Sequence, residues 1–355
     1  MKERERGMVW SRILDEDFRA IPNDLVLPLS GKTILVTGAT GLVGSMLLRY
    51  FLYARAINGL NIRLVGVARC EAKARSIFGR YYDEVEWLFA DLMHDKVEYP
   101  DGIDFIIHGA AVTASRTMVE RPVDVIDLSV RGTKTMLDLA LDKKAMFIYL
   151  SSMEVYGNML SDGPVGEDEL GYIDLSNVRS CYPESKRLCE NLCVAYGRQF
   201  GVDVRIARLA QTFGAGVLPG ESRAVVAFSK AASMGEQVCL KTRGLSDANY
   251  VYASDAVSAL ITIMLFGTEG ETYNVANEEC HMTIAEMAQL AVDAVGAPGA
   301  EVVFDVDDSN AGGFAADVRL FLNSEKLRAL GWVPQVDMTS AMIRLIAYLR
   351  EASNE

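Results

Sequence analysis

The chain has 355 residues, half of them hydrophobic, with a mean hydropathy of +0.14 and a net charge of −13. That length suggests one large or two modest domains, with room for a sizeable core. The charge disfavours nucleic-acid and anionic-membrane partners, and the longest strongly apolar stretch, "ALITIMLF" (259–266), is too short to span a bilayer.

Residues 1–30 read as an extension. Its start, "MKERERGMVW", lacks the apolar run of a secretory signal. Trp10, Ile13, Leu14, Asp17 and Phe18 then suggest a short amphipathic helix that packs on something, a partner subunit included. From Thr33 onward, short apolar runs alternate with longer helix-period segments: "TILVT" (33–37), "IRLVGVA" (62–68), "EWLFA" (86–90), "DFIIHGA" (104–110), "MFIYLSS" (146–152) and "VDVRIARL" (202–209). Near-continuous apolar strands separated by helices predict a doubly wound α/β domain with a parallel sheet. After Gly214 the texture changes to glycine-rich loops and shorter elements. "NYVYASDAVSALITIML" (249–265) predicts a strand and helix that return to the first domain, whereas "ETYNVAN" (271–277) and "EVVFDV" (301–306) predict a smaller, interleaved α+β unit. The expected division is 31–212 plus 249–268 for the first domain and 213–248 plus 269–355 for the second, with a ligand cleft between them. Cys70, Cys181, Cys189, Cys193, Cys239 and Cys280 lack metal-ligand spacing, so reduced thiols, a cytoplasmic location and no metal site are expected.

Chemistry enters at "TGATGLVG" (37–44). Gly38, Gly41 and Gly44 follow a strand and open a helix. In that context one glycine permits the turn, one lets backbone approach a pyrophosphate, and one lets helix and strand pack closely. The helix start offers free N–H groups and a positive dipole end. At the end of the second strand stands Arg69 rather than an acidic residue, which suits a 2′-phosphate and favours NADP. Glu71 nearby keeps NAD open. Asp91 and Leu92, after the third strand, are placed to hold an adenine edge.

At the end of the fifth strand, "YLSSMEVYG" (149–157) places Ser151, Ser152 and Glu154 where open α/β sheets bind ligands. Further on, "RSCYPESKR" (179–187) puts Pro183 in a helix's first turn and Tyr182 and Lys186 on one face. A free tyrosine, with a pKa of about 10, is a poor base at neutral pH. A neighbouring ammonium and a nicotinamide's positive charge would favour the phenolate, which then takes a hydroxyl proton while hydride leaves the same carbon. Glu154 reads either as a general acid/base or as a solvated carboxylate. His108 reads as structural rather than catalytic.

Together these residues resemble the extended short-chain dehydrogenase/reductase family, in its nucleotide-sugar epimerase and dehydratase branch. Carriers of the resemblance also include "HGAA" (108–111), "SVRGT" (129–133), "RLAQTFGAG" (208–216), "YVYASDA" (250–256), "YNVAN" (273–277) and "LGWVP" (330–334). The resemblance implies a Rossmann fold. It makes Ser152, Glu154, Tyr182 and Lys186 the catalytic group, and assigns the cofactor to Gly38, Thr40, Gly41, Leu42, Val43, Gly44, Arg69, Asp91, Leu92, Ala110, Ala111, Tyr182 and Lys186. Thr113, Ser152, Gln211, Arg223 and Arg243 would face a nucleotide-sugar. A homodimer is implied through helices near 118–141 and 183–200. "RSCYPESKR" and the glutamate of "SSMEVYG" look most like UDP-glucuronate decarboxylases. Four positions depart from the pattern: Ala248 stands where an arginine is expected, Met153 where dehydratases carry an aspartate, Gln211 for an asparagine and Ser129 for an asparagine.

Three functions follow. The first is an NAD(P)-dependent epimerase or decarboxylase working through a transient 4-keto sugar. The second is an NADPH-dependent reductase of a non-nucleotide carbonyl compound. The third is a catalytically silent cofactor-binding sensor or scaffold.

Overall fold

A computed structural model describes residues 10–159, 163–218, 220–306 and 319–353, so residues 1–9 of the extension lie outside it. Helices α1 (Arg12–Arg19) and α2 (Asn23–Val26) precede strand β1 (Thr33–Thr37), helix α3 (Leu42–Asn58), β2 (Arg63–Ala68), α4 (Glu71–Phe78), β3 (Glu86–Phe89) and β4 (Phe105–His108). Then come α5 (Ser115–Glu120), α6 (Pro122–Lys143), β5 (Met146–Ser152), α7 (Cys181–Phe200), β6 (Val204–Leu209), β7 (Gln211–Phe213), α8 (Ala224–Ser233), β8 (Val238–Leu240) and β9 (Asp247–Tyr252). The remainder is α9 (Ala253–Phe266), β10 (Thr272–Val275), β11 (Asn277–Thr283), α10 (Ile284–Val295), β12 (Val302–Phe304), α11 (Glu325–Arg328) and α12 (Met338–Ser353).

The main sheet has seven strands in the order β10-β6-β5-β4-β1-β2-β3, all parallel. Side chains alternate across it. Ile34, Val36, Ile107 and Ile148 join the core on one face, while Leu35, Ile106, Phe147 and Tyr149 join the core on the other, which also takes residues of α6 and α7. Both faces are covered, which is why the strands read as near-continuous apolar runs. The strand order reverses between β1 and β4, and the crevice beyond their carboxyl ends is where such sheets bind ligands. The expected doubly wound α/β fold is present, with two smaller sheets beside it, β11-β9-β7 and β12-β8.

Four expectations change. The segment 271–277 was assigned to the smaller unit, yet β10 pairs in parallel with β6 and forms the edge of the main sheet. Conversely, β9 pairs with β7 and β11 rather than returning to the main sheet, although α9 packs on α3 as expected. The helix expected near 118–141 is two helices. Arg121 stands between them at φ −138°, ψ 55°, because a residue ahead of proline avoids the helical region and Pro122 opens the second helix. Finally, α1 packs on its own chain. Phe18 meets Tyr50 and Tyr53 of α3, and the buried Asp17 accepts from Tyr252 Oη at 2.8 Å and Arg344 Nη1 at 2.7 Å.

Candidate active site

The turn from β1 to α3 is shaped by backbone crowding. Gly38 has φ +65°, and a Cβ there would fall 2.6 Å from the Gly109 carbonyl oxygen. A Cβ on Gly44 would fall 2.4 Å from the Gly38 oxygen, so α3 rides against the turn at a distance that only glycine allows. Gly41, the N-cap residue, supplies no side chain, and the first intrahelical bond is Ser45 N–H to the Gly41 carbonyl at 2.9 Å. The N–H groups of Leu42 and Val43 therefore precede the helix's own bonding, the condition that makes a helix start an anion seat. These residues fit a pyrophosphate. Thr40 is half-buried beside them.

A buried histidine ties this turn to the next strand. His108 Nδ1 lies 2.7 Å from Thr37 Oγ1 and Nε2 lies 3.2 Å from Thr133 Oγ1. Thr37 Oγ1 also accepts from the N–H groups of Gly109 and Ala110, at 3.1 and 3.2 Å. Burial, helped by the Lys186 charge, pushes His108 down to about 3 and keeps it neutral. Through Thr37 it is linked to the backbone of Gly109 and Ala110 beside the glycine turn, with Ala111 next in sequence. Leu92 is buried against Gly132 of α6, while Asp91 is half-buried and accepts from Met93 N–H at 3.1 Å. Arg69 follows the last residue of β2 and is exposed, whereas Glu71 is engaged by Arg75 and Tyr82.

Ser152, Tyr182 and Lys186 come together at the edge of β5. Ser152 caps the following 3₁₀ turn by accepting from Glu154 N–H at 3.2 Å, and it lies close enough to Tyr182 to favour the ionised phenol. Tyr182 is the second residue of α7, and Lys186 lies one turn later. The Lys186 Nζ donates to the Leu150 carbonyl at 2.7 Å and stands 4.6 Å from the Tyr149 ring centre and 5.9 Å from that of Tyr182. Burial lowers Lys186 to about 8. Tyr182 departs from the sequence expectation of an activated phenol: burial, reinforced by the Glu154 charge, pushes it up to about 12. Desolvation of the phenolate outweighs what Ser152 and Arg179 return.

One cation was missed from sequence. Arg179 forks onto Glu154, Nη1 to Oε2 at 2.7 Å and Nη2 to Oε1 at 3.1 Å. Its sequence signal was its place at the head of "RSCYPESKR", the stretch that resembles UDP-glucuronate decarboxylases, which gave it no role of its own. Behind the site, Ser151 donates to Glu190 at 2.5 Å, Glu190 pairs with Arg208 at 2.8 Å, and Arg208 reaches Tyr156 Oη at 3.0 Å.

The residues expected to hold the substrate are less convergent. Gln211 begins β7, in the separate β11-β9-β7 sheet, two residues past Leu209, the register partner of Ser152 at the carboxyl end of β5. Arg223 is committed to Glu221 at 2.9 Å and to the Thr212 carbonyl at 2.6 Å. Thr113 and Arg243 are exposed. Ala248 lies within β9, paired with Met282. A cavity of about 620 Å³ lined by Asp17, Asp255, Trp332 and Arg344 lies elsewhere and contains none of the catalytic group. Among the described residues, no cluster of three or more His, Cys, Asp or Glu is arranged to hold a metal ion, and no helix is long and apolar enough to cross a membrane.

Residues 34–276 match the NAD dependent epimerase/dehydratase family. The chain belongs to that family. Among its relatives, UDP-glucuronic acid decarboxylase 1 of Danio rerio is 30% identical over 323 residues, which cover 89% of this chain and 72% of that protein. UDP-glucuronic acid decarboxylase 6 of Arabidopsis thaliana is 31% identical over 273 residues, 75% of each chain. Solved structures share the fold. An epimerase from Methanothermobacter thermautotrophicus superposes with a TM-score of 0.75 at 21% identity, covering 97% of both chains. UDP-glucuronic acid 4-epimerase from Bacillus cereus, solved with UDP-glucuronic acid and NAD, gives 0.71 at 20% identity, covering 90% of this chain and 99% of that one.

Proposed function

We propose that this protein is an NAD(P)-dependent enzyme that oxidises C4 of a nucleotide-activated sugar transiently and then decarboxylates or epimerises it. The observation that carries the reading is the Ser152–Tyr182–Lys186 group at the edge of β5, beside the strand reversal that carries the glycine turn. The names of the relatives at about 30% identity support a uronic-acid sugar and decarboxylation.

The residues divide the work. Leu42 and Val43 N–H groups at the start of α3 receive the pyrophosphate, with Asp91 and Leu92 towards the adenosine. A dinucleotide held there would supply a hydride acceptor for C4 and the donor for its return, so none would be consumed over a turnover. Tyr182 Oη takes the proton of the C4 hydroxyl, with Ser152 Oγ orienting the same oxygen. Lys186, charged below about pH 8, favours the phenolate from beneath. Once C4 is a ketone, a carboxylate at C5 is β to it. Its C–C bond electrons then pass to the C4 oxygen as CO₂ leaves, and C5 takes a proton before reduction. Tyr182 and Ser152 face the oxygen on which that charge develops.

Arg69 favours NADP through its exposed guanidinium, with NAD retained as the alternative. A homodimer through α6 and α7 accounts for the exposed Val123, Ile126, Leu188 and Val194. Free thiols at all six cysteines suit a reducing cytoplasm. The second reading, net reduction of a non-nucleotide carbonyl by NADPH, rests on Arg69 and on Ala248 at the expected arginine position.

The test is to denature the purified protein, identify the released dinucleotide by mass spectrometry, and incubate native protein with UDP-glucuronate. Retained cofactor with CO₂ release, or with C4 inversion, supports the leading reading. Stoichiometric NADPH oxidation by a simple ketone, with every nucleotide-sugar untouched, overturns it.

A further inference from the structure

Arg179 is not accounted for by the redox chemistry. It sits in the 3₁₀ turn Val178–Ser180, immediately before α7, and both terminal nitrogens go to Glu154 at 2.7 and 3.1 Å. A guanidinium makes this two-pronged bond with a carboxylate because the two planar forks match. The pair is not sealed in the core: the side chains keep 34% and 26% of their exposure. Glu154 is in turn fastened by its N–H to Ser152 Oγ at 3.2 Å, which places the fork beside the Ser152–Tyr182 pair.

Neighbouring cations are committed elsewhere. Lys186 is buried on the Leu150 carbonyl. Arg187 donates to the carbonyls of Val155 and Gly171, both at or below 2.8 Å. Arg208 is spent on Glu190 and the Glu167 carbonyl. Position 248 offers only a methyl group. Arg179 therefore combines an open side chain, a place beside the catalytic tyrosine, and a carboxylate already seated on it.

We propose that Arg179 is the receptor for a carboxylate carried by the sugar, and that Glu154 holds its fork until the substrate's carboxylate takes that place. This rests on the proposed C4 oxidation of a nucleotide-activated hexuronic acid and names the residue that selects its carboxylate. In such a sugar the carboxylate sits on the carbon next to the one whose hydroxyl meets Tyr182, so holding C4 against Tyr182 brings the carboxylate to this corner. Exchanging one carboxylate for another on the same guanidinium preserves both charge-assisted bonds. A neutral hexose presents a hydroxymethyl group there and has nothing to exchange. Selection thus follows from what the substrate can replace.

The test is calorimetric binding of UDP-glucuronate and UDP-glucose to the protein loaded with the dinucleotide it retains, NAD or NADP, compared among wild type, Arg179→Gln, Arg179→Lys and Glu154→Gln. Wild type is expected to prefer UDP-glucuronate by about tenfold or more, the size of a charge-assisted contact. Arg179→Gln should bring the ratio near one by weakening UDP-glucuronate alone, and Arg179→Lys should retain part of it. Glu154→Gln, which removes the charge competing for the fork, should tighten UDP-glucuronate severalfold. An unchanged ratio in Arg179→Gln, or equal loss for both sugars, overturns the assignment while leaving the C4 chemistry standing. Binding of neither sugar by wild type loaded with the dinucleotide it retains overturns both.

Discussion

Lys186→Met is expected to stabilise the folded protein near neutral pH while abolishing turnover. Lys186 is 3% exposed, its Nζ has the Leu150 carbonyl as acceptor at 2.7 Å, and burial lowers its pKa to about 8. An unfolded lysine titrates near 10.4, so the fold disfavours the ammonium by roughly two and a half pH units, about 3 kcal/mol. Because the folded value lies below the unfolded one, that cost is fully present below pH 8 and fades as pH rises from 8 towards about 10.4. Methionine keeps the stem and removes the charge, but leaves the Leu150 carbonyl without its donor, a loss of about 1–2 kcal/mol. The net gain near pH 7 is about 1–2 kcal/mol, a rise in Tm of a few degrees for a chain of this size. Thermal unfolding of both proteins between pH 6.5 and 10, with turnover measured in parallel, checks this. The advantage of the variant should shrink above pH 8 and reverse by about pH 10. A variant less stable than wild type by the same margin at every pH would show that Lys186 carries no desolvated charge, and the account of Tyr182 built on it would fall too.

Tyr182→Phe should lower kcat by about a thousandfold or more and leave dinucleotide affinity unchanged by titration, since the phenol is needed for proton transfer alone. Gly38→Ala forces a Cβ to within 2.6 Å of the Gly109 oxygen at φ +65°, so a loss of several kcal/mol in stability and of dinucleotide binding is expected by thermal shift and titration. Asp17 and Asp255, 2% and 3% exposed, are both raised by burial to about 6. Each therefore destabilises the fold above pH 6 and relaxes as pH falls towards 4, by about 3 kcal/mol, so Tm should rise from pH 7.5 to 5 and Asp17→Asn should flatten that rise. Leu188→Glu should shift the protein from dimer to monomer in light scattering; a wild type that is already monomeric ends the dimer proposal.

Most of the main sheet was legible because a strand buried on both faces writes its own signature. "MFIYLSS" became β5 to the residue. Partner choice has no such signature. Nothing in "ETYNVAN" says that its strand pairs with Thr272 opposite Ile206, across about sixty residues of intervening chain, rather than with a neighbour. The break at Arg121–Pro122 was legible in principle, since proline restricts the residue before it, but the apolar period on either side hid it. Combining motifs singled out Ser152, Tyr182 and Lys186, which the fold brings near one another, whereas the direction of the Tyr182 shift was not legible. Spacing reports which charges are near, and burial, which opposed them here, is a property of the packed chain.

The same distinction explains why the cofactor half of the site is plain and the substrate half is not. Pyrophosphate binding uses backbone, and backbone demands leave glycines at fixed offsets: a Cβ at Gly38 or Gly44 is sterically refused whatever surrounds it. Sugar selection uses side chains, which can be supplied from several places in the fold. In the proposed site the arginine absent at 248 is replaced by Arg179, which comes from a different element and reaches Glu154 across twenty-five residues of sequence. Oxidation at C4 needs groups at one carbon; discrimination among sugars needs groups one carbon away, and only interactions there can differ between substrates without disturbing the proton and hydride transfers. On the proposed reading, Ser152, Tyr182 and Lys186 serve the C4 chemistry and the Glu154–Arg179 pair serves the choice of sugar. The sugar this chain takes should follow from the charge on that fork.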